Sequence, residues 1–320
     1  MEVYFDNSAT TRVLDSVRDV VVKVMTEDYG NPSAKHRKGM EAEQYVRQAA
    51  SRIAKTLKVK DKEILFTSGG TESNNMALIG TAMANQRAGK HIISTRIEHA
   101  SVYNPLAFLE QQGFEVTYLS VDSQGHISLE ELEASIRPDT ILVSVMYVNN
   151  EVGAIEPIEE IASLVHGRNP AILLHVDAIQ AYGKLVIHPK KQGIDLLSVS
   201  AHKFHGPKGV GFLFIDGRVK IHPLLYGGGQ QKDLRSGTEN VPGIAGMGAA
   251  AQEMYTDHQE KVDYITGLKD YMIDRMGQLE GVTVNSLKGG QGAPQIVSAG
   301  FAGVRSEVLL HALEEKGIYV

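Results

Sequence analysis

The 320 residues contain no cysteine. That removes disulfide frameworks, thiolate zinc sites and an internal thiol nucleophile. Long apolar stretches are missing as well: no run approaches the roughly 20 residues of a membrane-spanning helix. The opening Met1-Glu2-Val3-Tyr4-Phe5-Asp6 has neither the basic segment nor the apolar stretch of a leader, so a cytoplasmic protein is the expectation. Charge of one sign is not blocked together. With a net charge of −6 and acids and bases interspersed, the surface offers nothing for nucleic acid or an anionic membrane. Internal repeats and low-complexity segments are also lacking. What is present is an ordinary globular composition, 42% hydrophobic and 22% charged, long enough for one large or two moderate domains.

Val13, Val17, Val20, Val21 and Val24 recur at helical spacing, and Gly30-Asn31-Pro32-Ser33 closes that helix. A second helix is predicted from Ala42 to Leu57. Strand-like runs follow at 64–67, 91–94, 116–119, 140–148 and 171–176, with helices near 72–87, 101–112, 128–136 and 157–166. The alternation predicts an α/β domain whose mainly parallel sheet is covered on both faces. Beyond Gly243 the pattern changes to one long helix reaching about Leu279, strands at 282–284 and 295–301, and a helix at 306–316. These predict a large domain at 12–250 and a smaller α+β domain made of 1–11 and 251–320. Ile318-Tyr319-Val320 starts a strand with little to pair with, so either the chain is incomplete at Val320 or it ends with a frayed edge.

Ligands of parallel α/β sheets bind outside the carboxyl ends of the strands. The apolar run at 194–199 leads into Ser200-Ala201-His202-Lys203-Phe204-His205-Gly206-Pro207-Lys208-Gly209, which puts Lys203 at a strand mouth. Desolvation or neighbouring cations would lower its pKa and make it a Schiff-base nucleophile, although a lone lysine is better read as a solvated loop residue. Ser68-Gly69-Gly70-Thr71-Glu72-Ser73-Asn74 opens a helix. Its exposed amides form an anion cup, with Thr71 and Ser68 as added donors; taken alone it is a plain turn. His99 lies at the next helix start, able to pack flat on an aromatic ligand or simply to cap. Asn149 and Asn150 follow a strand, where turn chemistry competes with binding.

Asp177 ends another apolar strand, where a carboxylate needs a partner. A cationic ring nitrogen would serve, as would a structural ion pair, and Gln180 lies close enough to reach the same ligand. Together these residues match the needs of pyridoxal phosphate. Lys203 would bind the aldehyde, Asp177 would hold the ring nitrogen protonated, and the cup, Ser200 and His202 would bind the phosphate. A metal reading of His202 and His205 is weaker, since no matching cluster stands near them. The glycine-bearing loops 227–231 and 235–240 then read as a lid or a subunit contact.

Ordered blocks carry a resemblance along the whole chain: Tyr4 to Thr11, Gly30-Asn31-Pro32-Ser33, Phe66 to Ser73, Glu98-His99, Val148 to Gly153, His175 to Gln180, Ser200 to Gly209, Gly227 to Gln230 and Arg235-Ser236-Gly237-Thr238. In these the sequence resembles the NifS/IscS-type cysteine desulfurases, in the class V aminotransferase group of fold-type I pyridoxal-phosphate enzymes. The resemblance implies a seven-stranded-type sheet in the large domain and a homodimer. It makes Lys203 the Schiff-base lysine, stacks His99 on the pyridine ring, and pairs Asp177 with the ring nitrogen. Gln180 would meet the ring hydroxyl, and Gly70, Thr71, Ser200 and His202 the phosphate. Asn150 would lie near ring and substrate, and Thr238 would reach the phosphate in the neighbouring subunit.

The implied reaction converts L-cysteine to L-alanine, leaving a persulfide for iron–sulfur assembly or other sulfur transfer through an acceptor or scaffold protein. In that family a cysteine loop and a carboxylate-binding arginine follow the segment matching Gly317 to Val320, and neither is present in this sequence. Two alternatives stay open. One is another enzyme on this scaffold, such as a selenocysteine lyase or an aminotransferase; the other is a catalytically incompetent cofactor-binding or interaction protein.

Overall fold

The computed structural model describes residues 2–320. Its strands are β1 (Val3–Tyr4), β2 (Ile64–Thr67), β3 (His91–Thr95), β4 (Glu115–Leu119), β5 (Thr140–Met146), β6 (Leu173–Asp177), β7 (Leu196–Ser200), β8 (Gly211–Ile215), β9 (Val282–Val284), β10 (Ala299–Phe301) and β11 (Ile318–Tyr319). Seven of them form one sheet in the order β2-β8-β7-β6-β5-β3-β4. Neighbours from β7 to β4 run parallel, and β8 is antiparallel to both β7 and β2.

β5, β6, β7 and β8 are buried along their whole length, which is why they read as near-continuous apolar runs. Successive side chains still go to opposite faces. Phe66, Val199, Phe212 and Phe214 join the core on one side of the sheet, and Leu65, Leu196, Leu213 and Ile215 the core on the other. On the first side the helices Asp15–Thr26 and Arg37–Leu57 pack against Val241–Tyr255. Gly248 permits that approach, since a Cβ there would lie 2.7 Å from Ala49 Cα.

After β2 the chain turns directly into a continuous helical segment. It is α-helical over Gly70–Asn75, widens to a π turn over Met76–Gly80, and returns to α over Thr81–Asn85. Such π turns often mark functional segments.

Three expectations change. The long helix after Gly243 is two helices, Val241–Tyr255 and His258–Met276. Asp257 breaks it with φ 48°, and Lys261 Nζ takes up the freed carbonyls of Glu253 and Thr256 at 2.6 and 2.7 Å. The strand expected at 295–301 is confined to Ala299–Phe301, which pairs antiparallel with Val282–Val284. Finally, β11 has a partner: it pairs in parallel with β1, Val3 opposite Ile318 and Tyr4 opposite Tyr319. No helix among the described residues is long and apolar enough to cross a membrane.

Candidate active site

The carboxyl ends of β2, β3, β5, β6 and β7 converge on a cavity of about 490 Å³. Gly70, Thr71, His99, Asn150, Asp177, Gln180, Ser200, His202 and Lys203 all line it, joined by Asp6, Ser8 and Ala9 from the N-terminal segment. Thr238, in contrast, is exposed and does not line the cavity of its own chain.

Lys203 ends the short helical turn Ala201–Lys203 that follows β7. Its Nζ donates to the carbonyls of Ser8 and Ala9, the latter at 2.9 Å. Burial lowers its pKa, against the opposing pull of Asp6 and Asp177. An amine with a depressed pKa is the form a Schiff-base lysine needs. His202 alongside is pushed down to about 4 by burial and by Lys203, Lys208 and Lys184, so it is neutral at pH 7. Its Nδ1 lies 3.2 Å from Thr10 Oγ1.

Asp177 is the last residue of β6 and 4% exposed. Oδ1 accepts the amide of Ile179 at 2.9 Å, and Oδ2 accepts Asn74 Nδ2 at 2.8 Å. Burial nevertheless pushes the carboxyl up. A cationic nitrogen opposite it would restore the charge, which is what a protonated pyridine offers.

His99 caps a helix, one of the two readings its position allowed, and it also lines the cavity. Its Nδ1 accepts the amide of Ser101 at 3.0 Å and caps the helix Ala100–Gln111, while the ring faces the cavity. With Nδ1 an acceptor, Nε2 carries the proton of the neutral ring. The two asparagines divide their work. Asn149 Oδ1 accepts the amides of Glu151 and Val152 at 2.9 Å each, which is turn chemistry, and Asn150 is the one on the cavity wall.

Gly70 and Thr71 head their helix, where amides have no intrahelical acceptor. Ser200 stands beside them: a Cβ built on Gly69 would come 3.7 Å from Ser200 Oγ. Gly69 itself has φ 150°, a conformation glycine adopts readily. Ser68 plays another part, since its amide donates to Glu72 Oε2 at 2.7 Å.

These residues fit pyridoxal phosphate. Two buried acceptors, Asn74 Oδ1 and Gln180 Oε1, lack a hydrogen-bond partner among the described residues. Buried oxygens of this kind are costly unless something donates to them. Gln180 Oε1 suits a ring hydroxyl, since the other end of the amide already holds Ser8 O at 2.9 Å.

Asn74, Glu98 and Lys184 stand behind the cavity wall and were not among the residues expected to hold a ligand, although Asn74 closes the helix-opening motif and Glu98 adjoins His99. Asn74 had the strongest signal available, standing one helical turn after Gly70 and therefore on the same face. Glu98 Oε1 accepts Thr95 Oγ1 and the amide of Met146, both at 2.8 Å, and burial pushes its carboxyl up to about 8. Lys184 donates to the backbone carbonyl of Lys203 from behind.

The family model described as aminotransferase class V matches residues 3–320. The chain is 42% identical over 320 residues to a cysteine desulfurase IscS of Dictyoglomus turgidum, covering 100% of this chain and 80% of that protein. It is 45% identical over 317 residues to a cysteine desulfurase IscS of Methanosarcina thermophila, covering 99% and 78%. Among solved structures, a NifS-like protein matches with a TM-score of 0.97 at 42% identity, over 100% of this chain and 87% of that one. SspA in complex with cysteine matches with a TM-score of 0.85 at 33% identity, over 99% and 87%. The chain therefore belongs to the class V aminotransferase family, a pyridoxal-phosphate-dependent family, within its IscS/NifS cysteine desulfurase group.

Proposed function

We propose that the protein is a homodimeric cytoplasmic cysteine desulfurase that converts L-cysteine to L-alanine and hands the sulfur, as a persulfide, to an acceptor or scaffold protein. The observation that carries this reading is the meeting of Lys203, Asp177, His99 and the Gly70–Thr71 helix start in one cavity. Bound there, pyridoxal phosphate supplies an electron sink for the bonds around the substrate's α-carbon.

The chain's own residues do the rest. Asp177 holds a proton on the ring nitrogen. Lys203, once it leaves the carbonyls of Ser8 and Ala9, is the base that takes and returns the substrate's α-proton, burial favouring its uncharged form. His99 is held in orientation by Ser101, and the N-terminal segment closes the cavity over Lys203. The amides of Gly70 and Thr71, with Ser200 and His202, bind the phosphate, and Thr238 serves the cavity of the second subunit. Because the sequence holds no cysteine, the thiol that receives the sulfur comes from outside these residues.

Alanine and sulfide are measured after incubation with L-cysteine, pyridoxal phosphate and a small dithiol as sulfur acceptor. Alanine and sulfide in equal amounts, rising with the dithiol, are expected. Transamination without sulfide would overturn the reading. The absence of cysteine favours one second reading, a lyase or aminotransferase of the same scaffold that needs no protein thiol. Faster alanine release from L-selenocysteine than from L-cysteine, independent of added thiol, would select it.

A further inference from the structure

The loop from Gly227 to Gly237 grips the chain on both sides of the anion cup. On one side the Gln231 side chain pairs with the backbone of Phe66, Oε1 accepting its amide at 2.7 Å and Nε2 donating to its carbonyl at 2.8 Å. The amide thus stands in for a neighbouring strand at the free edge of β2. On the other side Arg235 Nε donates to Glu72 Oε1 at 2.9 Å and Nη2 to Oε2 at 3.4 Å. These two side chains are only 20% and 14% exposed.

Glu72 sits in the first turn of the helix, immediately after Gly70 and Thr71, and Oε2 also accepts the amide of Ser68. A carboxylate suits a helix N-terminus as long as that terminus holds nothing else. The same amides are the ones that attract phosphate, and a second anion beside the first is repelled. Burial works to raise the Glu72 carboxyl, but the hydrogen bonds from Arg235 and Ser68 outweigh it and hold it below its ordinary value. Glu72 is therefore charged at neutral pH, and the cup needs that charge cancelled.

We propose that Arg235 is a positioning residue for the cup: paired with Glu72, it neutralises the carboxylate beside Gly70 and Thr71 so that the cup accepts a phosphate dianion. The inference rests on reading this cup as the cofactor's phosphate site. It makes phosphate affinity depend on the seating of the 227–237 loop, which also leads into Thr238.

The test compares dissociation constants of pyridoxal phosphate, pyridoxal and inorganic phosphate for the full chain stripped of cofactor. In Arg235→Gln, pyridoxal phosphate and phosphate weaken about tenfold or more while pyridoxal is unchanged. Glu72→Gln/Arg235→Gln restores both to near the starting values. Glu72→Gln alone, which keeps an acceptor for Ser68, binds phosphate at least as tightly as the parent, and this arm stands even if Arg235→Gln folds poorly. Equal weakening of pyridoxal, or no recovery in the double variant, overturns the proposal. If the parent binds phosphate with this Arg235 and Glu72 pattern but neither cofactor form, the cup assignment stands and the cofactor reading falls. A parent that binds no phosphate overturns both.

Discussion

Lys184 Nζ hydrogen-bonds to the backbone carbonyl of Lys203, so one buried lysine fixes the turn from which the other reaches into the cavity. Burial, with Lys203 adding repulsion, drags Lys184 down to about 7 from its ordinary 10.5. Between those values the unfolded chain binds a proton that the folded chain does not. Stability therefore rises as pH rises through that window. Lys184→Met removes the dependence. Urea midpoints taken at about pH 7 and about pH 9.5 should separate less in the variant than in the parent; an unchanged separation would place the titration elsewhere.

Lys203→Ala should leave the fold intact, since Lys203 spends its side chain on two loop carbonyls at the cavity wall. Alanine formation from L-cysteine falls about 10²- to 10⁴-fold. Borohydride treatment of the loaded parent should lock the cofactor onto the peptide containing Lys203, and mass spectrometry should find no such adduct in the variant.

Asp177→Asn separates stability from binding. The folded carboxyl lies above its ordinary value, so in the ligand-free chain its charge opposes folding as pH rises through that raised value. The cofactor-free variant should melt at or above the parent's temperature at neutral pH. Cofactor affinity moves the other way, weakening about 30-fold or more once the ring nitrogen loses its anion. A variant that loses both together would show that Asp177 is structural.

Gly211→Ala tests how closely the cup is fitted to the sheet. A Cβ there would lie 2.5 Å from Val199 O and 2.8 Å from Gly69 Cα. Because both neighbours are backbone, the strands must shift, costing about 1 to 3 kcal/mol in a urea titration and loosening cofactor binding as well.

Residues at strand ends were legible because the sequence marks the place twice: an apolar run stops, and a polar residue or glycine stands where it stops. Asp177, Lys203 and Gly70 all carry that mark, and the sheet brings them together as the α/β pattern requires. Asn74 and Lys184 carry no such mark. Asn74 meets Asp177 across 103 positions of chain, and Lys184 follows a glycine turn with no periodicity to betray its burial. The break at Asp257 is a matter of one left-handed residue inside an otherwise helical pattern, and an aspartate can take either conformation. The antiparallel insertion of β8 between β2 and β7 is equally silent, since a strand buried on both faces reads the same in either direction.

The pairing of β1 with β11 has a mechanical meaning for the site. Val3 donates to Gly317 O at 2.8 Å and Phe5 to Tyr319 O at 2.7 Å, and only a few residues further on Ala9 O holds Lys203 Nζ at 2.9 Å. The first residues of the chain are thus a short strap, fastened at one end to strand β11 and at the other to the reactive amine. The same short segment therefore joins the edge of the chain's last strand to the wall of the cavity.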